Sequence, residues 1–481
     1  MIVIGIDCAP PQLVFERYRD AMPNVSALME RGSWGALRSS EPPITVPAWT
    51  CMVTGRDAGE LGLYGFRNRV EGETALRLAD GRDVHSKRVW DWLGDHGFRV
   101  APLFVPLTFP PSPVRGHMIS GFLWPGADAP WCFPRSLETE IVDRVGAYRA
   151  DVQRFRAEDL DRIYSDIVAM TEQHFQIAEL VWKEKNPDFL MMVEIGVDRF
   201  HHAFWRHIDP EHPRHDPKNP WKGLGHEYYA RLDSHIGRLC ELAGDETTVL
   251  VVSDHGARAM RGGVCINDWL IERRYLTLRE PPAAATPLDH GLIDWTRTRA
   301  WAEGGYYARV FVNVAGREPF GVVAPNALGA MRAELRRALE DIRDDEGKPI
   351  PTVARIPEEH YRSARGFPPD LMVYFDDLAL RAIGSVGNRR RVVLENDTGP
   401  DSCNHDWEGI FVMSGGNAPR RGRIEGAEIY DVTPTILAAF GIPRPPGIQG
   451  KDLGASVGGG GVGMTGPNPA STCRLQQRTR S

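Results

Sequence analysis

The sequence predicts an α/β fold in which helices cover a mostly parallel sheet. Three observations predict it. Short apolar runs rich in β-branched residues recur along the chain, each bounded by glycine or turn residues. Helical stretches separate them, and strand–helix–strand order points to parallel strands joined by crossover helices. The three strongest runs each end in an aspartate, at the strand edge where open α/β sheets bind their ligands.

The first run is Ile2-Val3-Ile4-Gly5-Ile6, closed by Asp7. The second runs from Phe189 to Ile195, with Asp198 just beyond it. The third runs from Thr248 to Val252, followed by Asp254 and His255. Apolar runs without polar alternation read as strands buried on both faces. Amphipathic helices are expected at 24–31, 88–96, about 158–183 and 226–242. Further on, strands are expected at 309–313 and 371–375, with a helix at about 326–342. No internal repeat is found.

The chain has 481 residues, 42% hydrophobic and 25% charged, which excludes wholesale disorder, a collagen helix and a coiled coil. Its length suits roughly three domains, or one large domain carrying insertions. A formal net charge of -7 argues against a nucleic-acid polymer as partner. No apolar run approaches the roughly 18 residues of a membrane span, and the N-terminus lacks the basic start of a secretory signal. Seven scattered cysteines without a CxxC pair fit the reduced thiols of a cytoplasmic protein. The oligomeric state is left open.

Two stretches depart from the alternation. Residues 103–134 are rich in proline and aromatic side chains, which suits either a functional lid or a packed surface excursion. After Leu453 the composition turns to glycine, with Gly458 to Gly461 consecutive, and a flexible tail is expected over 455–481.

The three aspartates would repel one another at a shared sheet edge unless a cation gathers them. His202 lies four residues after Asp198, on the same face if the segment is helical, and His255 is adjacent to Asp254. Aspartate mixed with histidine suits zinc or a related divalent metal. A single strand-end aspartate is more often a helix cap; three on three buried strands are harder to assign that way. His405, within Asn404-His405-Asp406, precedes the apolar run Ile410 to Met413 and supplies the ligand that five others lack for two well-filled sites. Upstream, Pro42-Pro43-Ile44-Thr45-Val46-Pro47 reads as an extended approach to a helix that reaches about Val53. Thr45 would stand just before its N-terminus, where amides and dipole favour an anion. It is either a plain cap or, beside a metal, a nucleophile.

In this order, the segments IVIGID, PPITVPAWTCMVTG, VDRFHHAFW, VVSDHG, NHDWEGIFVMSG and DVTPTILAAFGIP resemble the alkaline phosphatase superfamily. They are most similar to the type I phosphodiesterase/nucleotide pyrophosphatase group. The resemblance implies a three-layer α/β/α catalytic domain over 1–454, with cap-forming insertions at roughly 80–180 and 270–400. It also implies two divalent metal ions, zinc in the first instance with manganese or iron as alternatives. Asp198, His202 and His405 would hold one metal. Asp7, Asp254 and His255 would hold the other, beside Thr45 as nucleophile and ligand. The implied reaction is hydrolysis of a small phosphodiester or nucleotide pyrophosphate through a phospho-threonine.

One position departs from the family pattern. An asparagine that helps to bind a phosphate oxygen is usual downstream of the nucleophile, but here the stretch reads Leu61-Gly62-Leu63-Tyr64-Gly65-Phe66. Arg67, Asn68 or Arg199 could supply a donor instead. The alternative function is a phosphomonoesterase or phosphosugar mutase of the same superfamily. A sulfatase is disfavoured by Trp49 where its motif needs arginine, and a haloacid dehalogenase by Asp7-Cys8-Ala9, which lacks a second aspartate. A non-catalytic binding protein would have lost ligands that are all present.

Overall fold

A computed structural model describes residues 1–126, 128–416 and 418–455. Most of the expected 455–481 tail therefore lies outside the described residues.

A ten-stranded sheet forms the centre. Ile2–Ile6 lies between Phe189–Glu194 and Val249–Val252 and pairs parallel with both. Val100–Val105 extends the parallel run beyond Phe189–Glu194. On the other side Glu408–Ser414 pairs antiparallel with Val249–Val252 and with Ser33–Arg38. All five residues of Ile2–Ile6 are buried, as are those of Phe189–Glu194 and Val249–Val252. This double burial explains why the runs lack polar alternation.

Successive side chains of a strand point to opposite faces, and the core divides accordingly. Ile2, Ile4 and Ile6 join one apolar cluster with the helices Leu160–Lys185, Gly196–Ile208 and Leu224–Ala243. Val3 faces a second cluster containing Trp49, Met52 and Trp90, from the helices Thr45–Thr54 and Val89–Asp95. The result is a sheet between two helical layers. Gly5 lets the second layer close: a Cβ there would lie 2.5 Å from the Trp49 ring and 3.0 Å from the Met192 carbonyl.

The helices expected at 24–31, 88–96, 158–183 and 226–242 form as Pro23–Arg31, Val89–Asp95, Leu160–Lys185 and Leu224–Ala243. The stretch at 80–180 enters the central layers, because it carries the Val100–Val105 strand and most of the Leu160–Lys185 helix. The stretch at 270–400 behaves differently. With the residues just before it, it builds a second, seven-stranded sheet from Gly262–Cys265 to Val392–Val393, with its own core around Trp301, Phe311 and Leu371. Within 103–134 most aromatics pack: Trp131 stacks on Tyr148 at 4.4 Å and Phe104 on His174 at 4.3 Å. The six described cysteines are free. Among the described residues no helix is long and apolar enough to cross a membrane.

Candidate active site

The three central strands deliver their aspartates to one edge. Their register sets Ile6 opposite Glu194 and Gly5 opposite Val252, so the residues that follow emerge side by side. The Asp7 amide donates to the Glu194 carbonyl at 3.0 Å. The Glu194 carboxylate then accepts the Gly196 amide at 2.8 Å, at the start of the Gly196–Ile208 helix. Asp198 sits in that first turn, where the positive end of the helix favours a carboxylate, and His202 follows one turn later.

His405 arrives by another route. It lies on Cys403–Asp406, which pairs antiparallel with Gly256–Ala259 and sets His405 opposite Ala257. The next strand, Glu408–Ser414, runs against its neighbours. The residues preceding it therefore fall at the carboxyl edge of the parallel strands.

The structure brings Asp7, Thr45, Asp198, His202, Asp254, His255 and His405 together, none more than 2% exposed. At such burial, charges need partners. Asp198 Oδ1 lies 3.3 Å from His202 Nε2 and 3.4 Å from His405 Nε2. His255 Nε2 lies 3.1 Å from Asp254 Oδ2 and 3.5 Å from Asp7 Oδ1. Each histidine commits its other nitrogen: His202 Nδ1 to Asp401 Oδ1 at 2.9 Å, His405 Nδ1 to the Pro43 carbonyl at 2.9 Å, and His255 Nδ1 to the Gly256 carbonyl at 3.0 Å. Such second contacts fix the ring and leave Nε2 for a metal.

The donor set fits divalent cations. Asp7 Oδ1, Asp198 Oδ1, Asp254 Oδ2 and His405 Nε2 are buried without a hydrogen-bond partner. Ligand atoms of Asp198, His202 and His405 fall within 4.8 Å of one another, as do those of Asp7, Asp198 and His255. Cys8 groups with His255 and His405 in the same way, though its thiol also contacts the Gly256 carbonyl at 3.5 Å.

The electrostatics agree. Burial, then repulsion from Asp198, holds the Asp7 carboxyl well above the usual range; burial, then Asp7, does the same to Asp254. Burial lowers His405 to about 4, and burial with His405 nearby pushes His255 far down, so both rings are neutral donors. Asp198 is held low: burial opposes its charge, but His202 outweighs that. A divalent cation would reverse the strain on Asp7 and Asp254 by holding both ionised.

Thr45 is the first residue of the Thr45–Thr54 helix, one place further in than expected. Ile44 takes the extended capping conformation instead, and its carbonyl accepts the first helical bond from Ala48 at 2.8 Å. Pro47 falls within the first turn, where an amide has no helical partner, so its missing N–H costs nothing. Thr45 Oγ1 lies 3.3 Å from His255 Nε2. One turn on, Trp49 Nε1 donates to Asp7 Oδ2 at 2.7 Å, tying the helix to the cluster.

The three donor candidates part ways. Arg199 donates to Asp198 Oδ2 at 2.5 Å and to both oxygens of Asp151 at 2.7 and 2.9 Å. It also lines a cavity of about 520 Å³ whose walls include Phe66, Phe122, Arg156 and Tyr306. Asn68 spends its side chain on the Tyr64 amide and the Gly65 carbonyl, at 2.7 and 3.1 Å. Arg67 is exposed on the Arg67–Arg69 strand. Neither Arg67 nor Asn68 lines the cavity.

Sequence reasoning missed Asp401 and Tyr306. Asp401 accepts from Arg156 Nε at 2.8 Å and Arg381 Nη1 at 3.0 Å as well as from His202. Burial disfavours its charge, yet Arg381, His202 and Arg156 hold the carboxyl well below the usual range. Tyr306 stacks on His405 with ring centroids 3.7 Å apart. An aspartate four residues before His405 was the only available signal for the first; nothing local marks the second.

The fold is shared with solved structures. Phosphonoacetate hydrolase from Sinorhizobium meliloti 1021, in complex with phosphonoformate, matches with a TM-score of 0.56 at 14% identity, over 90% of this chain and 93% of that one. Human ectonucleotide pyrophosphatase/phosphodiesterase 5 matches with a TM-score of 0.53 at 13% identity, over 94% and 98%. An inactive murine form of the latter in complex with AMP matches with a TM-score of 0.51 at 13% identity, over 93% and 96%. A search of curated protein sequences gives no match. The profile described as Type I phosphodiesterase / nucleotide pyrophosphatase matches residues 1–401. On that match, joined to the fold and the buried Asp/His cluster, the chain belongs to the type I phosphodiesterase/nucleotide pyrophosphatase family of the alkaline phosphatase superfamily.

Proposed function

We propose that this hydrolase acts on phosphodiester or nucleotide pyrophosphate bonds of small molecules through a phospho-threonine at Thr45. Asp198, His202 and His405 would hold one divalent metal, and Asp7, Asp254 and His255 a second. Zinc suits the donors best, with manganese or iron as substitutes. Bound ions would neutralise phosphoryl oxygens and ease deprotonation of a hydroxyl or water.

The chain's own part is positional. The Thr45–Thr54 helix presents Oγ1 at its amino end, where free amides favour an anionic phosphoryl group. Trp49 and the Pro43 carbonyl orient Asp7 and His405 from the same segment. Thr45 Oγ attacks phosphorus and the bond to the departing limb breaks. Water then cleaves the phospho-threonine, so two in-line displacements leave the configuration at phosphorus retained.

The observation that carries this reading is four partnerless buried donor atoms beside one threonine hydroxyl. Zinc-loaded protein is expected to cleave bis(p-nitrophenyl) phosphate much faster than p-nitrophenyl phosphate. A strong preference for the monoester would move the assignment to a phosphomonoesterase.

A further inference from the structure

The second sheet reaches the metal-ligand cluster through Tyr306, which touches His405 and His202. Tyr306 follows Gly304-Gly305, and Gly305 exchanges backbone hydrogen bonds with Ala382 at 2.8 and 3.0 Å, which fastens this turn to Leu380–Ile383. The Tyr306 ring stacks on His405, and the Arg381 guanidinium lies 4.4 Å over that ring. The hydroxyl has two neighbours: His202 Nε2 at 3.2 Å and Arg156 Nη2 at 3.4 Å.

Only one of these contacts has a direction fixed by chemistry. Arginine only donates, so the Tyr306 oxygen accepts from Arg156. Among the described residues its other hydrogen-bond neighbour is His202 Nε2. That nitrogen is also the one His202 offers to a metal, since Nδ1 is committed to Asp401. A metal and the hydroxyl cannot share one lone pair. Once His202 is a ligand, the Tyr306 proton can turn to the cavity that Tyr306 lines together with Arg199, the partner of Asp198, whereas Thr45 contacts His255.

We propose that Tyr306 is a catalytic residue whose hydroxyl donates a hydrogen bond to the oxygen that departs when Thr45 attacks. This rests on the two-metal reading above. In that step the Thr45 Oγ–P bond forms, the P–O bond to the departing limb breaks, and the electron pair stays on the departing oxygen. Tyr306 keeps its proton and shares the new charge through the hydrogen bond. The Arg381 guanidinium over its ring favours that sharing.

Tyr306→Phe keeps the ring against His405 and removes the hydroxyl alone. Two readouts test it: zinc affinity by competition with a chromophoric chelator, and kcat/KM across aryl methyl phosphates from p-nitrophenyl to phenyl. Zinc affinity is expected to equal or exceed that of the unaltered chain, because a competitor for His202 Nε2 is gone. The loss in kcat/KM is expected to grow from under about threefold with p-nitrophenyl, a stable leaving group, to about a hundredfold with phenyl. Zinc binding weakened tenfold or more, an equal loss across the series, or no loss at all would overturn the proposal. If the unaltered chain neither binds zinc nor cleaves any of the esters, the two-metal reading itself fails and Tyr306 loses its role with it.

Discussion

The carboxyl edge of the central sheet and the second sheet meet where Tyr306 stacks on His405, yet they are built differently. At the edge, Asp7, Asp198 and Asp254 come within four residues of the ends of three adjacent buried strands, so parallel register and the first turn of the Gly196–Ile208 helix bring them together. At the second sheet, Tyr306 depends on a turn held by Ala382, far along the chain, and Arg381 of that sheet meets Arg156, from outside it, at Asp401 and at Tyr306. The edge is fully buried and rich in unpaired metal-ligand atoms. The upper wall is half-buried, aromatic and already hydrogen-bonded. On the proposed function the difference separates two tasks: the edge would gather charge for the chemistry, and the wall would shape what approaches it.

Substitutions on the two sides should differ in the size of their effect. The largest effect is expected at Thr45: Thr45→Ala should lower turnover at least about a thousandfold while zinc content is kept, as for loss of a nucleophile. Retention of most activity would mean that water or another side chain attacks directly. Next, His405→Ala should lower zinc from two ions per chain toward one and cost at least about a hundredfold in turnover, since even outer partners of metal ligands are worth 10–100-fold. Unchanged stoichiometry by elemental analysis would remove His405 from the site. Asp401→Asn, which reaches the metal site through His202, should weaken zinc binding about tenfold in a chelator competition; an unchanged affinity would make it a purely structural bridge between Arg156 and Arg381.

A pH experiment follows from the raised carboxyls. Without metal, Asp7 and Asp254 keep their protons above the pH at which the unfolded chain loses them. The folded state then binds more protons than the unfolded one, so these groups make metal-free stability fall as pH rises through that window. Metal binding must release those protons. The rise in Tm on adding zinc should therefore be larger at pH 7.5 than at pH 5; a rise independent of pH would contradict the shared carboxylate cradle. The smallest effect is expected at Arg67, exposed and off the cavity: Arg67→Ala should leave kcat/KM within about twofold.

This contrast also explains what could be read from sequence. Ile2–Ile6 and its two neighbours announced themselves because strands buried on both faces must be continuously apolar. Their aspartates inherited that legibility, and His202 and His255 followed by spacing. Thr45 was placed one residue early, because the capping role passed to the extended backbone of Ile44. The 80–180 stretch read as cap, although Val100–Val105 is a core strand: its Pro102 and its aromatic surroundings masked the pattern. Tyr306 and Asp401 left no periodic trace, since only long-range pairing brings them to His405 and His202.

A pair of metal ions held at the sheet edge beside Thr45 would be visible directly. The most direct test is anomalous scattering from crystals of the zinc-loaded chain. Two peaks are expected, one within about 2.0–2.2 Å of donor atoms of Asp198, His202 and His405, the other equally close to Asp7, Asp254 and His255. A map with no peak there, or with zinc bound only elsewhere on the chain, would contradict it.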